Sequence, residues 1–299
     1  MYDDALMTFL TTIPYFVCKT IVSYELPAAK LEDTKHFLLG EVRRLGKINK
    51  KVRYEDINKS LHYSKAVVSK QLKKLEESDY IIMYDDEENK NRKIVEITEK
   101  GFLYTKGWLN ILKVSEADFF KGISEEEKIK LSEYLRKFYN NLPQADYVFV
   151  DKENVWLEIF HCFVIIYRYT QHFYRTAVDV DGHFIHELRV LAHLGNLKNW
   201  VDFKKLEELL NLNQPKVVRL ISSLYSKGFV NVRTNPADQR KKQALIKEDG
   251  YEKAREIVDF YNIVKEKGLD NFTEDQRIEF YTILSKWEKN VNVIVKSQN

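Results

Sequence analysis

The sequence predicts a mainly α-helical protein with small β-hairpins, built from two copies of one unit. Three observations carry this expectation. Apolar residues recur at three-to-four spacing along most of the 299 residues. Two short runs in each half switch to the β-type pattern, with a polar turn between them. Sliding the chain along itself by 149 residues, the offset from Ser64 to Asn213, superposes long blocks of matching chemical class without a gap.

The blocks are "SKAVVSKQLKKLEESDYI" on "NQPKVVRLISSLYSKGFV" and "DDEENKNRKIVEITEKG" on "TNPADQRKKQALIKEDG". Val68 falls on Val217, Lys70 on Arg219, Leu72 on Ile221, Leu75 on Leu224, Tyr80 on Phe229 and Gly101 on Gly250. Class is kept at core positions while identity is mostly lost. The period is domain-sized, so residues 1–147 and 148–299 are read as a first and a second copy.

Each copy follows one order. A long apolar helix opens it, at about 3–26 and 152–177, and a second follows at about 33–46 and 183–195. A short helix runs from Tyr54 to Leu61 and from Phe203 to Leu210, the latter with Asp202 as a natural N-cap. Next comes a helix with Ser64 or Asn213 as N-cap, and Pro215 in its first turn, where proline is tolerated. The runs "YIIMYD" and "KIVEIT", like "FVNVRT" and "QALIKE", then predict a β-hairpin with a long polar tip. Closing helices start at "SEEEK" and "TEDQR", a helix-start signature. Pro14 falls inside the first helical pattern and should kink or delay it.

Helix, helix, short helix, tight connection, helix and hairpin is the order of a winged helix-turn-helix. In that motif the second helix of the tight pair enters the DNA major groove, which admits one helix. Such a helix buries one face and keeps the other free of acids, because phosphates flank it. Both copies meet this. In the first copy the free face carries Ser64, Lys65, Ser69, Lys70, Lys73 and Lys74, and no acid falls between Ser64 and Leu75. In the second it carries Gln214, Lys216, Arg219, Ser222 and Ser223. The net charge of +3 conceals these local basic faces.

Both copies resemble MarR-family winged-helix regulators, and more closely the staphylococcal accessory regulator (SarA-like) branch, which includes forms with two fused copies. The residues that carry this are "PKVVRLISSLYSKGFV" followed by Arg233, Asp238, Arg240 and Lys241, with Lys242 beside them. The first copy matches as "KAVVSKQLKKLEESDYI" and a hairpin containing "NRK", with Arg92 and Lys93 as its basic pair. The resemblance implies a transcription regulator of double-stranded DNA. The first and last helices of each unit would interlock into a dimer lobe. An arginine at the hairpin tip would reach the minor groove, braced by the aspartate two residues before it; those roles fall on Arg240 and Asp238.

Here the two units are joined through only "NNLPQAD". A connection that short favours antiparallel packing of the helices on either side of it. One chain, a monomer, would then supply a whole pseudo-two-fold "dimer", with its recognition helices about one DNA turn, on the order of 34 Å, apart.

The first copy departs from the pattern. Asn89 stands at the aspartate position and Asn91 at the arginine position, and four consecutive acids, Asp85 to Glu88, replace "TNPA". Acids beside phosphates weaken binding, so that wing is expected to touch DNA only through Arg92 and Lys93, or to stay away. The two half-sites should therefore differ. A rival reading is a winged-helix interaction module that grips another regulator, with this acidic wing as its candidate surface.

Other features carry less. Asp179, Asp181, His183, His186 and Glu187 in "DVDGHFIHE" tempt a metal reading, but His183 falls where a calcium loop needs an acid, and Asp181 is a good helix start. Cys18 and Cys162 sit in apolar helical runs and are read as small hydrophobes. Tyr167, Tyr169, His172, Phe173 and Tyr174 are read as helix packing. No catalytic signature appears, and no cofactor, metal or obligate small molecule is implied. The N-terminus lacks the basic start of a secretory signal, and no apolar run is long enough for a membrane, so a cytoplasmic protein is expected.

Overall fold

A computed structural model of the chain describes residues 33–49, 51–61, 63, 65–143, 154–178, 184–210 and 212–297. The first long helix expected at about 3–26, with Pro14 and Cys18, lies outside the described residues. So do Ser64, Asp179, Asp181 and His183. In the first copy the elements are α1 (Asp33–Ile48), α2 (Tyr54–Leu61), α3 (Lys65–Glu77), β1 (Ile81–Asp86), β2 (Asn89–Ile97), α4 (Glu99–Phe119) and α5 (Glu125–Asn140). The second copy has α6 (Val155–Val178), α7 (Phe184–Leu197), β3 (Val201–Asp202), α8 (Phe203–Leu210) and α9 (Gln214–Ser226). It closes with β4 (Val230–Asn235), β5 (Asp238–Ile246), α10 (Glu248–Gly268) and α11 (Glu274–Ser297). Among the described residues no helix is long and apolar enough to cross a membrane.

The described residues form two units. One spans 173–265 and is the second head; the other joins 33–172 with 266–297 and holds the first head and a helical lobe. These units partition the chain by packing, whereas the boundary at 147 partitions it by repeat.

Within each head the buried residues keep helical spacing. Leu38, Leu39, Val42 and Leu45 of α1 bury with Ile57 and Leu61 of α2 and with Val68, Leu72 and Leu75 of α3. In the second head Leu188, Val190, Leu191 and Leu194 bury with Leu206, Leu210, Val217, Ile221 and Leu224. Both α3 and α9 stop by the same device. A left-handed residue, Asp79 (φ 59°) or Gly228 (φ 80°), turns the chain from helix into strand. The next amide then reaches back to the helix: Tyr80 N–H donates to Leu75 O at 2.9 Å, and Phe229 N–H to Leu224 O at 3.0 Å.

Gly101 and Gly250 explain their place in the repeat. A Cβ on Gly101 would lie 2.1 Å from Tyr80 O, and one on Gly250 would lie 2.3 Å from Phe229 O. Only a residue without a side chain lets the helix after the hairpin press on the turn before it.

The hairpins correct one expectation. The strands do not stop short of a long tip; they run to two-residue turns, Glu87–Glu88 and Pro236–Ala237, with Asp86 facing Asn89 and Asn235 facing Asp238. The outer halves of these ribbons bury almost nothing, so their strands carry charged residues on both faces and lack the apolar alternation that marks a strand. The sequence also hid a third strand. Val201 and Asp202 pair with Ala244 and Gln243 to give the order β3-β5-β4, and the first head repeats this as a single bridge between Arg53 and Ile94.

In the lobe, α5 and α11 start as expected. Ser124 and Glu127 form a reciprocal capping box, as do Thr273 and Gln276. These two last helices pair antiparallel with each other, and α5 also meets α6 across the linker, where Arg136 stands 2.9 Å from Glu158. Lys137 Nζ donates to Gln276 Oε1 at 2.9 Å, and Lys286 Nζ donates to Glu127. Asn141 donates to the carbonyls of Gly268 and Asp270, and Asn290 to those of Phe119 and Lys121. Moving each partner by 149 residues turns one set of bonds into the other. That is the signature of an isologous, two-fold contact, here made within one chain. Tyr169 packs edge-on against Tyr139 and donates to Pro143 O at 2.8 Å, as the packing reading expected. Cys162 is buried beside Glu158, and burial pushes its thiol well above the usual range.

Candidate nucleic-acid interface

In the second head, α9 is positioned at its start by Asn213, whose side chain accepts from Lys216 N–H at 3.2 Å, with Pro215 in the first turn. Its inner face is apolar. Outward stand Gln214, Arg219 and Ser222, with Lys216 and Ser223 partly covered. Two apolar residues, Val218 and Tyr225, are also exposed there, and sequence reasoning missed both. The signal that could have found them is the helical offset that places them among the polar set.

The wing of this head is built around Asp238. One of its oxygens accepts from Arg240 N–H at 3.1 Å and from Arg240 Nε at 3.2 Å, and Lys241 Nζ stands 3.5 Å from the other. The bond from the Arg240 guanidinium, with its backbone amide, holds the Asp238 carboxyl below its ordinary range. Arg240 is anchored at its root, while its side chain remains 91% exposed. Gln214 and Val218 of α9 line one recess together with Arg240, Lys241 and Lys242 of the wing. Lys204 joins the same recess, as do two acids, Asp202 and Glu207, that the sequence reading did not place there. Asp202 stands immediately before α8 as expected, and its carboxylate accepts from Asn235 at 3.0 Å. Arg233 is already engaged: its guanidinium lies 4.1 Å from the Trp200 ring centroid and donates to Gln243 at 3.0 Å. It stiffens the ribbon that carries Arg240.

In the first head, Lys65, Ser69, Lys70 and Lys73 are exposed on α3 and Lys74 is partly so. Among the described residues, Lys65, Lys70 and Lys73 carry no ion pair. Tyr54 donates to Lys65 O at 2.6 Å, tying α2 to the first turn of α3. The first acid on this helix, Glu76, turns to the hairpin, where it accepts from Met83 N–H at 3.0 Å.

Three of the four acids of the acidic wing, Asp85, Asp86 and Glu88, are paired with cations, and Asp86 does not face outward at all. It is 1% exposed and accepts from Arg53 Nε at 3.2 Å, Lys51 Nζ at 3.3 Å and Glu88 N–H at 3.2 Å. Burial opposes ionisation, but these donors prevail and hold the Asp86 carboxyl below its ordinary range. Glu88 lies 3.6 Å from Arg53 and 3.8 Å from Lys51, and Asp85 takes Lys93 at 2.6 Å. Lys93 is thereby tied, and Arg92 is left exposed without an ion pair among the described residues. The pair Arg53–Asp86 sits where the other head has Asp202–Asn235, so a wing-root polar contact recurs with the donor and acceptor sides exchanged.

Of the metal candidates, Glu187 is 1% exposed and paired with Lys227 at 2.6 Å. His193 is pushed down to about 4 by burial, then by Arg189.

Residues 185–242 match the model of the MarR family, and residues 37–101 match that of a winged helix DNA-binding domain. Both heads are winged-helix domains. No curated protein matches the chain. Among solved structures it is similar to a MarR protein from Peptoclostridium difficile, with 17% identity, 52% of this chain and 99% of that chain covered, and a TM-score of 0.41. It is similar to the heme sensor protein PefR from Streptococcus agalactiae, with 19% identity, 39% and 80% covered, and a TM-score of 0.32. It is also similar to Bordetella bronchiseptica BpsR, with 17% identity, 41% and 92% covered, and a TM-score of 0.34.

Proposed function

We propose that the two winged-helix domains are the heads of a transcription regulator that binds double-stranded DNA as a single-chain pseudo-dimer. The assignment is to the MarR family and, within it, to the fused SarA-like branch, acting in the cytoplasm. Each head lays its exposed helix, α3 or α9, in a major groove, and the two take adjacent grooves. Gln214 and Arg219 face base edges, Val218 meets a thymine methyl, and Arg240 enters the neighbouring minor groove.

The observation that carries this reading is the recess shared by α9 and the wing, where Gln214 and Arg240 line one surface with Asp238 fixing the arginine's root. Preorganising a long side chain saves part of the entropy lost on binding. Among the described residues the first head braces no arginine at its wing tip, where Asn91 stands at the position matching Arg240. Its lysines supply point charge, whereas an arginine supplies directed bonds. The first half-site is therefore gripped through phosphates and the second is read, which favours an asymmetric or AT-rich operator. The rival reading, a module that docks another regulator by its acidic wing, is weakened by Lys51, Arg53 and Lys93, which pair with three of the four acids, Asp85, Asp86 and Glu88.

Duplex selection from a random pool, followed by titration of the selected duplex at rising salt, tests the proposal. Binding should weaken by about 0.9 log unit per neutralised phosphate for each log unit of salt. Absence of duplex binding at low salt, or a selected palindrome with equally protected halves, goes against it.

A further inference from the structure

The first head meets the lobe along α6, a helix of the second copy. A cavity lies between them, lined by His36, Gly40 and Arg44 of α1, Trp108 of α4, and Phe160 and Val164 of α6. Side chains of α6 cross to the head on either side of it. Phe160 stacks on Phe37 of α1, with centroids 6.3 Å apart. Two turns further along α6, the Arg168 guanidinium lies 5.4 Å from the Phe37 ring and 4.3 Å from that of Tyr63.

Tyr63 sits in the short connection between α2, which ends at Leu61, and α3, which starts at Lys65. That connection sets the angle at which α3 leaves the turn. Tyr54 ties the same turn from α2, donating to Lys65 O at 2.6 Å. Arg168 is half-buried, and among the described residues no carboxylate pairs with it. Ring faces meet its charge instead, and a planar guanidinium stacks on them while its edge stays in water.

The device is built on one side. At the positions matching Tyr63 and Phe37 the second head has Leu212 and His186, and a leucine offers no ring face. The cation matching Arg168 is Lys19, outside the described residues. Packing divides the chain along the same line: the first head forms one unit with the lobe, and the second head is a unit by itself. In the DNA-binding reading the second head orients itself through directed bonds from Arg240, whose root Asp238 holds. The lysines of the first head are point charges that fix no angle, so the alignment of α3 has to be held from behind.

We propose that Arg168, from the second copy, is a positioning residue for the first head's recognition helix. Clamped on Tyr63 and Phe37, it makes α3 an extension of the lobe, so that one copy holds the other's helix in register. The clamp itself belongs to the free chain; its consequence at the half-site rests on the DNA-binding reading.

The test uses the full chain and two readouts. Arg168→Met keeps the apolar stem and removes the cation, Tyr63→Leu installs the second head's residue, and Tyr63→Phe keeps the ring. In the free protein, Arg168→Met and Tyr63→Leu should each lower the hydrogen-exchange protection of the α3 amides by about two- to thirtyfold, with the α9 amides unchanged. Tyr63→Phe should leave both helices as they are. Adding Arg168→Met to Tyr63→Leu should cost little more, because the contact is already gone. Undisturbed α3 protection overturns the proposal, as does an equal loss in α9, which a general weakening of the fold would give, or an additive double variant. Should Arg168→Met fail to fold, the Tyr63 variants decide: loss with leucine and none with phenylalanine supports the clamp, and like behaviour of the two sinks it. On a selected duplex, footprinting of Arg168→Met should show weakening by the same factor at the half-site that Lys70→Ala also weakens, and none at the other. Equal weakening at both, or at neither, counts against the positioning role. A wild-type chain that binds no duplex removes the DNA-binding reading alone, and exchange then decides the clamp.

Discussion

Replacing Arg240 by alanine separates phosphate gripping from groove reading, because the structure isolates what the side chain does. Arg240 is 91% exposed and, among the described residues, its only ion pair is with Asp238, which keeps Lys241 as a second cation. The fold should not change. Among the described residues eight exposed cations of the proposed faces are counted as DNA-facing, Lys65, Lys70, Lys73, Arg92, Arg219, Arg240, Lys241 and Lys242; exposed Lys93 and Arg233 are engaged by Asp85 and by Trp200 with Gln243. If each neutralised one phosphate, the log–log salt slope would be about −7, and affinity would fall roughly a thousand- to a hundred-thousandfold between 50 and 200 mM salt. Should Arg240 touch only phosphate, the alanine variant flattens that slope by about 0.9 and lysine restores it. Should it read the minor groove, affinity drops about ten- to a hundredfold with little change of slope, and lysine does not restore it. Fluorescence anisotropy on a selected duplex at several salt concentrations distinguishes the two. An alanine variant with unaltered affinity and slope refutes the wing's part in binding.

Further outcomes follow from the same geometry. Lys70→Ala and Arg219→Ala should each weaken duplex binding in the same titration; an effect from only one means that a single head works. The Asp86 carboxyl is held low in the folded state, so its contribution is present above the ordinary carboxylate pKa of about 3.9 and is lost as pH falls through the depressed folded value. Protection of the first hairpin's amides, taken relative to their intrinsic exchange rate at each pH, should therefore fall in acid, and Asp86→Asn should remove that pH dependence while lowering protection at neutral pH; a hairpin indifferent to both contradicts the role given to Lys51 and Arg53. Gly250→Ala gains at most about 1 kcal/mol of helix propensity but forces a contact with Phe229 O that overpacking data place at about 1–3 kcal/mol. Chemical denaturation of the second head should show a net loss, and a gain would mean that the helix yields there.

The helical framework was legible because its cause is periodic. Val68, Leu72 and Leu75 repeat as Val217, Ile221 and Leu224, and a buried stripe needs no partner to be recognised. The glycine pair Gly101 and Gly250 was visible as a recurrence, although its reason, a backbone carbonyl within reach of a Cβ, was not. The wing tips were misjudged because an exposed ribbon has no apolar face to reveal its strands. The state of the acidic wing was hidden for another reason. Arg53 and Asp86 lie 33 residues apart, and charge counted along the chain cannot tell an acid facing solvent from one buried under a guanidinium. Arg233 was read as a DNA contact from its motif, and its contacts with Trp200 and Gln243 add a structural role that the motif does not announce.

The bonds of Asn141 and Asn290 obey the two-fold rule, whereas the buried side chains around them do not: Phe138 stands where the other copy has Trp287, and Gly268, where a Cβ would lie 2.2 Å from the Phe138 ring, stands where the first copy has Phe119. In an ordinary homodimer every mutation arrives twice and must tolerate its own reflection. Covalent fusion lifts that condition: a change at Phe138 is answered by Gly268, a different codon in the same gene. Each half is then free to change without either having to remain its own mirror image.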